Sequence, residues 1–493
     1  MSFKKFLKKN YILLIILALG LFLRTYQAKA LFLYGHDQDL ASWMVKDVLV
    51  NKHLRLIGQE TSTQGIFIGP LFYYLLIPFY LLFGMDPIGG VVLVTLLGIF
   101  SIWSFYFVFS RIFSKNTGLI AAFLYAVSFY TIFNDREAVP TMPVVTWSVW
   151  YFYAINLLLK GKQKIAYPIL GVLIGLVWHL NVALVLLVPI IPVAQWLSKK
   201  KLEFKSFVIG VITLLVSSLP LIIFELRHGF SQTKALYFSF TTPQHDIIYG
   251  AEKMRRVILL ASKNVTGFIW GPLRGMPYWA ALVLLLAIFV LLVARKVFSK
   301  NQVIVMSLWL LLYFVFFSAY SKILSEYYLN GIMVIWVAVA ALGITYLFKR
   351  KDLKRWGKYA LLLFAVVNLY RFFTLDINRS GYLERKAVVA EIKRDAKEKG
   401  FPCVAVSYIT KPGYELGYRY FYWLEDMHVN HPESNSPVYT VVFPLRRDIG
   451  VHKTFGAIGL IYPDYKRYTK EGIEGSCSGE NSNLTDSMFG YTE

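Results

Sequence analysis

Three carboxylates, Asp37, Asp39 and Glu60, bracket one loop that directly follows the first apolar run of the chain. A carboxylate beside a membrane segment is costly unless it meets water or a partner, so acids gathered there point to a task. Their chemistry would be that of a general base, or of oxygen ligands to a hard cation. The plainer alternative is a solvated turn or a helix cap, both of which favour Asp. A second group, Asn134-Asp135-Arg136-Glu137, follows a later apolar run. Arg136 carries the planar fork that grips phosphate or carboxylate, although an acid–arginine–acid string also neutralises itself on a surface. His179 sits at a corner between two apolar runs, where a packed, hydrogen-bonded imidazole is the more ordinary role. Arg227 and His228 follow Glu225 and repeat the same combination, while Tyr327 and Tyr328 fit either an interfacial belt or the wall of a site.

The elements that would position these residues follow from composition. The chain of 493 residues is 57% hydrophobic and 17% aromatic, with only 16% charged residues, and its long apolar runs identify a multi-pass α-helical membrane protein. The net charge of +23 does not indicate nucleic acid, because the basic residues stand in short clusters between apolar runs, where the bilayer surface is their partner. No phosphate-cradling glycine loop, His-Glu-x-x-His pair or paired-cysteine motif is present. The two cysteines, Cys403 and Cys477, allow at most one disulfide.

Apolar stretches at 11–23, 88–109, 118–133, 143–159, 165–180, 182–197, 207–224, 278–293, 303–320, 332–348 and 359–373 predict about 11 transmembrane helices. The first is expected to stay uncleaved, although Ala28-Lys29-Ala30 resembles a signal cleavage site. Basic clusters at 4–9, 111–115, 160–164, 199–205, 295–300 and 349–358 all fall on one side only if the uncharged run 66–84 enters and leaves on the same face. Pro70 and Pro78 break that run as a straight helix. The run is therefore expected to lie along the outer leaflet, with the N-terminus cytoplasmic and Asp37, Asp39 and Glu60 outside the plasma membrane. Residues 1–375 then form a transmembrane domain whose first outer loop, 30–87, carries juxtamembrane segments. Residues 376–493 form a small extracytoplasmic α/β domain, with helices near 387–399 and 414–426, strands at 403–409 and 438–443, and a mobile tail.

This arrangement resembles the GT-C superfamily of polytopic glycosyltransferases, near the protein O-mannosyltransferases and the lipid A aminoarabinose transferases. The likeness rests on the acidic first loop, on the juxtamembrane Gly69-Pro70-Leu71-Phe72-Tyr73-Tyr74 and on the arginine with acids after the third span. It implies transfer of a hexose or pentose from a polyprenyl-phosphate donor to a lipid, polysaccharide or protein acceptor outside the membrane, with inversion. Asp37 would be the catalytic base, Glu60 a further acid of the cavity, and Arg136 or Arg227 the cation facing the leaving phosphate. The family commonly has Asp-Glu where this chain has Asp37-Gln38, and an acid where it has Val139-Pro140-Thr141, which leaves Glu137 or Asp135 for that role. A divalent cation (Mg or Mn) held by Asp37, Asp39 and Glu60 is left open. Two other readings are a flippase of polyprenyl-linked glycans, disfavoured because the charges gather at one face, and a glycan-binding membrane scaffold.

Overall fold

The computed structural model describes residues 3–61, 63–241, 250–271, 276–320, 324–377, 379–479 and 481. Ser62, parts of the 225–277 and 321–331 loops and most of the expected mobile tail lie outside the described residues. Long apolar helices form the bulk of the molecule. Among the described residues, four are long and apolar enough to cross a bilayer, Ile88–Ile112, Gln163–Leu180, Lys300–Ala319 and Glu326–Lys349. Several expected spans are shorter or broken. The 118–133 run divides at Ser128 into Lys115–Val127 and Phe129–Asn134, and 182–197 becomes a 3-10 turn, Val182–Leu187, and the helix Ile190–Leu197 beyond Pro189. The 207–224 run bends by 64° between Phe204–Ser217 and Leu219–Arg227. Between its apolar runs the chain adds two helices that hydropathy does not mark, Ser231–Thr241 and Gly250–Ile269.

The 30–87 loop contains the helix His36–Val50. After it, residues 58–61 and 63–68 lie side by side as a narrow hairpin, with Gly58 N–H on the Ile68 carbonyl (2.6 Å) and Ile68 N–H on that of Gln59 (3.0 Å). The 66–84 run then supplies the helix Leu71–Leu82. At 12 residues it rises about 18 Å, well short of the ~30 Å hydrocarbon core.

The C-terminal residues build a mixed five-stranded sheet in the order β2-β1-β3-β5-β4, from β1 (Val404–Thr410), β2 (Val429–Asn430), β3 (Val438–Phe443), β4 (Lys453–Phe455) and β5 (Ile458–Ile461). β1 pairs in parallel with β2 and β3, and β5 runs antiparallel to β3 and β4. The helix Tyr382–Lys399 covers the sheet, and a disulfide joins Cys403 to Cys477.

This region shares one apolar core with the 30–87 loop. Phe32, Tyr34, Trp43 and Tyr80 pack with Tyr382, Tyr420 and Phe421. The Tyr34 and Phe421 ring centroids are 4.6 Å apart. Polar contacts fix the same seam: the Tyr382 hydroxyl donates to Asp86 (2.7 Å), Lys386 pairs with Asp86, and the Tyr420 hydroxyl donates to the Met85 carbonyl (2.7 Å). Gly381 allows the closest approach, since a Cβ there would sit 2.6 Å from the Phe32 carbonyl oxygen.

Candidate active site

Where the 30–87 loop, the helix ends and the C-terminal region meet, they enclose a cavity of about 1170 Å³. Its lining combines apolar side chains, among them Val182, Val185, Leu186, Leu236, Phe316 and Phe317, with the polar and charged groups His36, Asp37, Glu60, Glu137 and Arg385. Tyr327 and Tyr328 also line it, their ring centroids 4.6 Å apart.

Asp37 occupies the first turn of the His36–Val50 helix, and its carboxylate has no hydrogen-bond or ion-pair partner among the described residues. The helix N-terminus carries partial positive charge, which favours an anion there. Gln38 holds that turn in place by accepting from Gly35 N–H at 3.0 Å. Glu60 stands on the hairpin, its backbone bridged to Phe67, and accepts from Gly65 N–H at 2.5 Å. Glu137 reaches the same cavity from the turn after Phe129–Asn134. Enclosure by protein, and then the nearby charge of Asp37, raise its carboxyl pKa above the ordinary value. Two loops about a hundred residues apart thus place two interacting carboxylates in one chamber.

Other expected site residues are turned elsewhere. Successive helix positions differ by about 100°, so Asp39 points away from Asp37. Asp39 is only 3% exposed, and its Oδ1 accepts from the Tyr34 hydroxyl and from Tyr420 N–H, both at 3.2 Å. The expected cation set of Asp37, Asp39 and Glu60 is therefore not assembled, and among the described residues no three acidic, His or Cys groups converge on a common point. Arg136 donates to the carbonyls of Leu23 (2.5 Å) and Tyr26 (2.7 Å) at the end of the first helix, and lies over the Phe372 ring. It does not line the cavity. Asp135 is fully buried in an ion pair with Arg24 at 2.5 Å and accepts from the Tyr125 hydroxyl at 2.7 Å.

His179 is a clamp between elements. Its Nδ1 accepts from Leu71 N–H at 3.3 Å and its Nε2 lies 3.0 Å from the Ser217 carbonyl. Gly69 makes room for the ring, since a Cβ there would come within 2.1 Å of Nδ1. The neighbouring Trp178 and Asn181 line the cavity instead, and the Asn181 Nδ2 is buried without an acceptor among the described residues. Arg227 and His228 close the bent helix Leu219–Arg227, outside the cavity lining, with His228 stacked on Phe224 at 4.0 Å. Arg385 and Tyr414 are lining residues that spacing gave no reason to choose, because what brings them there is packing across the seam.

A family model described as dolichyl-phosphate-mannose-protein mannosyltransferase matches residues 68–224. No curated protein matches the chain in sequence. Among solved structures, the chain is similar to ArnT from Cupriavidus metallidurans bound to undecaprenyl phosphate, with a TM-score of 0.58 at 12% identity, over 92% of this chain and 98% of that one. It is also similar to the Archaeoglobus fulgidus oligosaccharyltransferase tethered with an acceptor peptide, with a TM-score of 0.51 at 14% identity, over 89% of this chain and 69% of that one. At such identities the likeness is one of architecture, and that architecture is the GT-C fold of membrane glycosyltransferases.

Proposed function

We propose that the protein is an integral membrane glycosyltransferase that moves a sugar from a polyprenyl-phosphate donor to an acceptor on the extracytoplasmic face, with inversion at the anomeric carbon. The observation that carries this reading is the cavity in which Asp37 and Glu137 stand together in a lining that is otherwise largely apolar. Such a chamber suits a substrate with a lipid tail and a polar, reacting head. The undecaprenyl phosphate bound by the ArnT neighbour makes that lipid class the first donor to test.

Asp37 is the base. It takes the proton of the acceptor hydroxyl as that oxygen attacks the anomeric carbon, and the bond from that carbon to the phosphate oxygen breaks, its electron pair leaving with the lipid phosphate. Glu137, whose raised pKa favours holding a proton, adjusts the field around Asp37, and Glu60 and the two tyrosines orient the acceptor. Asp39, Arg136 and His179 hold the elements that carry these groups.

In this reading about 11 segments cross the plasma membrane with the N-terminus cytoplasmic, and 66–84 lies on the outer face with the acids. Residues 376–493 are an extracytoplasmic domain closing over the cavity of residues 1–375. The Cys403–Cys477 disulfide fits an oxidising outer compartment. The test is the purified protein in liposomes with radiolabelled polyprenyl-phosphate sugars and candidate acceptors. Transfer abolished by Asp37→Asn is expected. Wild-type transfer by that variant removes the assignment, and lipid movement without transfer favours a flippase.

A further inference from the structure

The two arginines that sequence offered as partners for an anion, Arg136 and Arg227, do not line the cavity. Arg385 does, and it comes from the C-terminal helix Tyr382–Lys399. Among the described lining residues it is the one permanently charged cation, facing three carboxylates.

Arg385 is 3% exposed. Its Nε donates to the Ser380 carbonyl at 3.3 Å and its Nη1 to the Tyr414 carbonyl at 2.9 Å. Its Cζ lies 3.9 Å from the Tyr414 ring centroid and 4.6 Å from that of Tyr418. The acceptors are neutral, no carboxylate comes within ion-pair distance among the described residues, and Nη2 makes no hydrogen bond there. A guanidinium enclosed in this way and held by carbonyls and ring faces has no counter-ion in contact with it, and an anion entering the cavity would supply one. The N-terminus of the His36–Val50 helix adds to the same field. A Cβ on Gly417 would meet both Arg385 Nη1 (2.2 Å) and Gly35 Cα (3.3 Å), so the guanidinium lies beside the N-cap of that helix.

We propose that Arg385 recognises a phosphate oxyanion in this cavity, so that the C-terminal region supplies part of the substrate site. The inference rests on the transferase reading and assigns its anion-binding residue. Arginine's rigid fork suits two oxygens of one phosphate, and the two ring faces fix its plane in advance. The phosphate is either the headgroup of the lipid donor or a group carried by the acceptor.

Binding is measured on the full-length protein in nanodiscs, with inorganic phosphate and undecaprenyl phosphate as probes. Arg385→Gln is expected to weaken phosphate binding at least about 10-fold, and Arg385→Lys, which keeps the charge but loses the fork, to fall between Arg385→Gln and the wild type. If saturating undecaprenyl phosphate displaces inorganic phosphate, the site belongs to the lipid headgroup; if both bind together, it belongs to the acceptor. Equal phosphate affinity in the wild type and Arg385→Gln overturns the proposal. Should Arg385→Gln fail to fold, the wild type alone decides: at constant ionic strength its melting temperature rises with phosphate, and no rise overturns the proposal equally. Transfer lost in Asp37→Asn but unchanged in Arg385→Gln would leave the transferase reading standing and remove this one.

Discussion

Two short acidic stretches, 37–39 in the first loop and 135–137 in the second, meet at the cavity rim and divide their labour in the same way. In each, two acids stand two positions apart. Asp39 and Asp135 are buried and held, the first by Tyr34 and the Tyr420 amide, the second by Arg24 and Tyr125. Asp37 and Glu137 face the cavity, and neither carboxylate has a hydrogen-bond partner among the described residues. One member of each pair fastens its loop, and that fastening fixes where the other points. The fastenings differ in kind: Asp135 sits opposite a full positive charge, whereas Asp39 is held by neutral donors and burial raises its pKa to about 7. An acid in a motif is therefore assigned by what surrounds it, and the two members of each pair should respond to substitution in opposite ways.

The sharpest way to break this contrast is Asp37→Asn. Losing a general base lowers transfer roughly 10²–10⁴-fold, and the melting temperature should stay at the wild-type value because no contact is lost. A parallel loss of stability would mean that Asp37 is part of the frame. Next in size is Asp135→Ala, which leaves Arg24 buried without its counter-charge. It should cost about 3–5 kcal/mol, read as a lower unfolding midpoint in detergent. Adding Arg24→Met to Asp135→Ala should recover much of that loss, and strictly additive losses would show that the pair is not coupled.

Sequence disclosed the architecture more fully than the site. Hydropathy found the apolar runs, and the two prolines with the charge clusters marked 66–84 as unlike the others. The helix there is too short to cross. The break at Ser128 escaped notice because an apolar run passes straight through it and no proline announces it. Strands β4 and β5 also escaped, since runs of three and four residues show little alternation. Of the cavity lining, Asp37, Glu60, Glu137, Tyr327 and Tyr328 were legible as polar groups in loops between apolar runs. Asp86 and Arg385 were not, because their roles arise from packing between the first loop and a region some three hundred residues later. Asp39 stands off the cavity lining for a local reason, the rotation of the helix, and that is readable once a helix is assumed at 36–50.

Glu137→Gln sharpens the comparison from the other side. It should lower transfer about 10- to 100-fold without affecting folding, because the group faces the cavity but is not the base. A drop in stability as large as that of Asp135→Ala would erase the distinction between the two acids of the second loop.

The smallest effect concerns Asp39 and pH. Its folded-state pKa, raised to about 7 first by burial, lies above the unfolded carboxylate value near ~4. The neutral form is therefore favoured in the fold: its stabilising contribution is complete below the unfolded value and disappears as pH rises through 7. Tyr34 and the Tyr420 amide hydrogen-bond the carboxyl, Tyr80 stands close by, and the charges of Arg385 and Arg419 partly oppose the shift. Going from about pH 6 to about pH 8 should lower stability by about 1 kcal/mol and speed hydrogen exchange at the Tyr420 amide, where the C-terminal region meets the first loop. Asp39→Asn keeps an acceptor oxygen for the same two donors, so its transfer rate should stay within about threefold of wild type while the pH dependence flattens. If it instead loses transfer as Asp37→Asn does, Asp39 belongs with the reacting groups and the division between fastening and facing acids fails in the first loop.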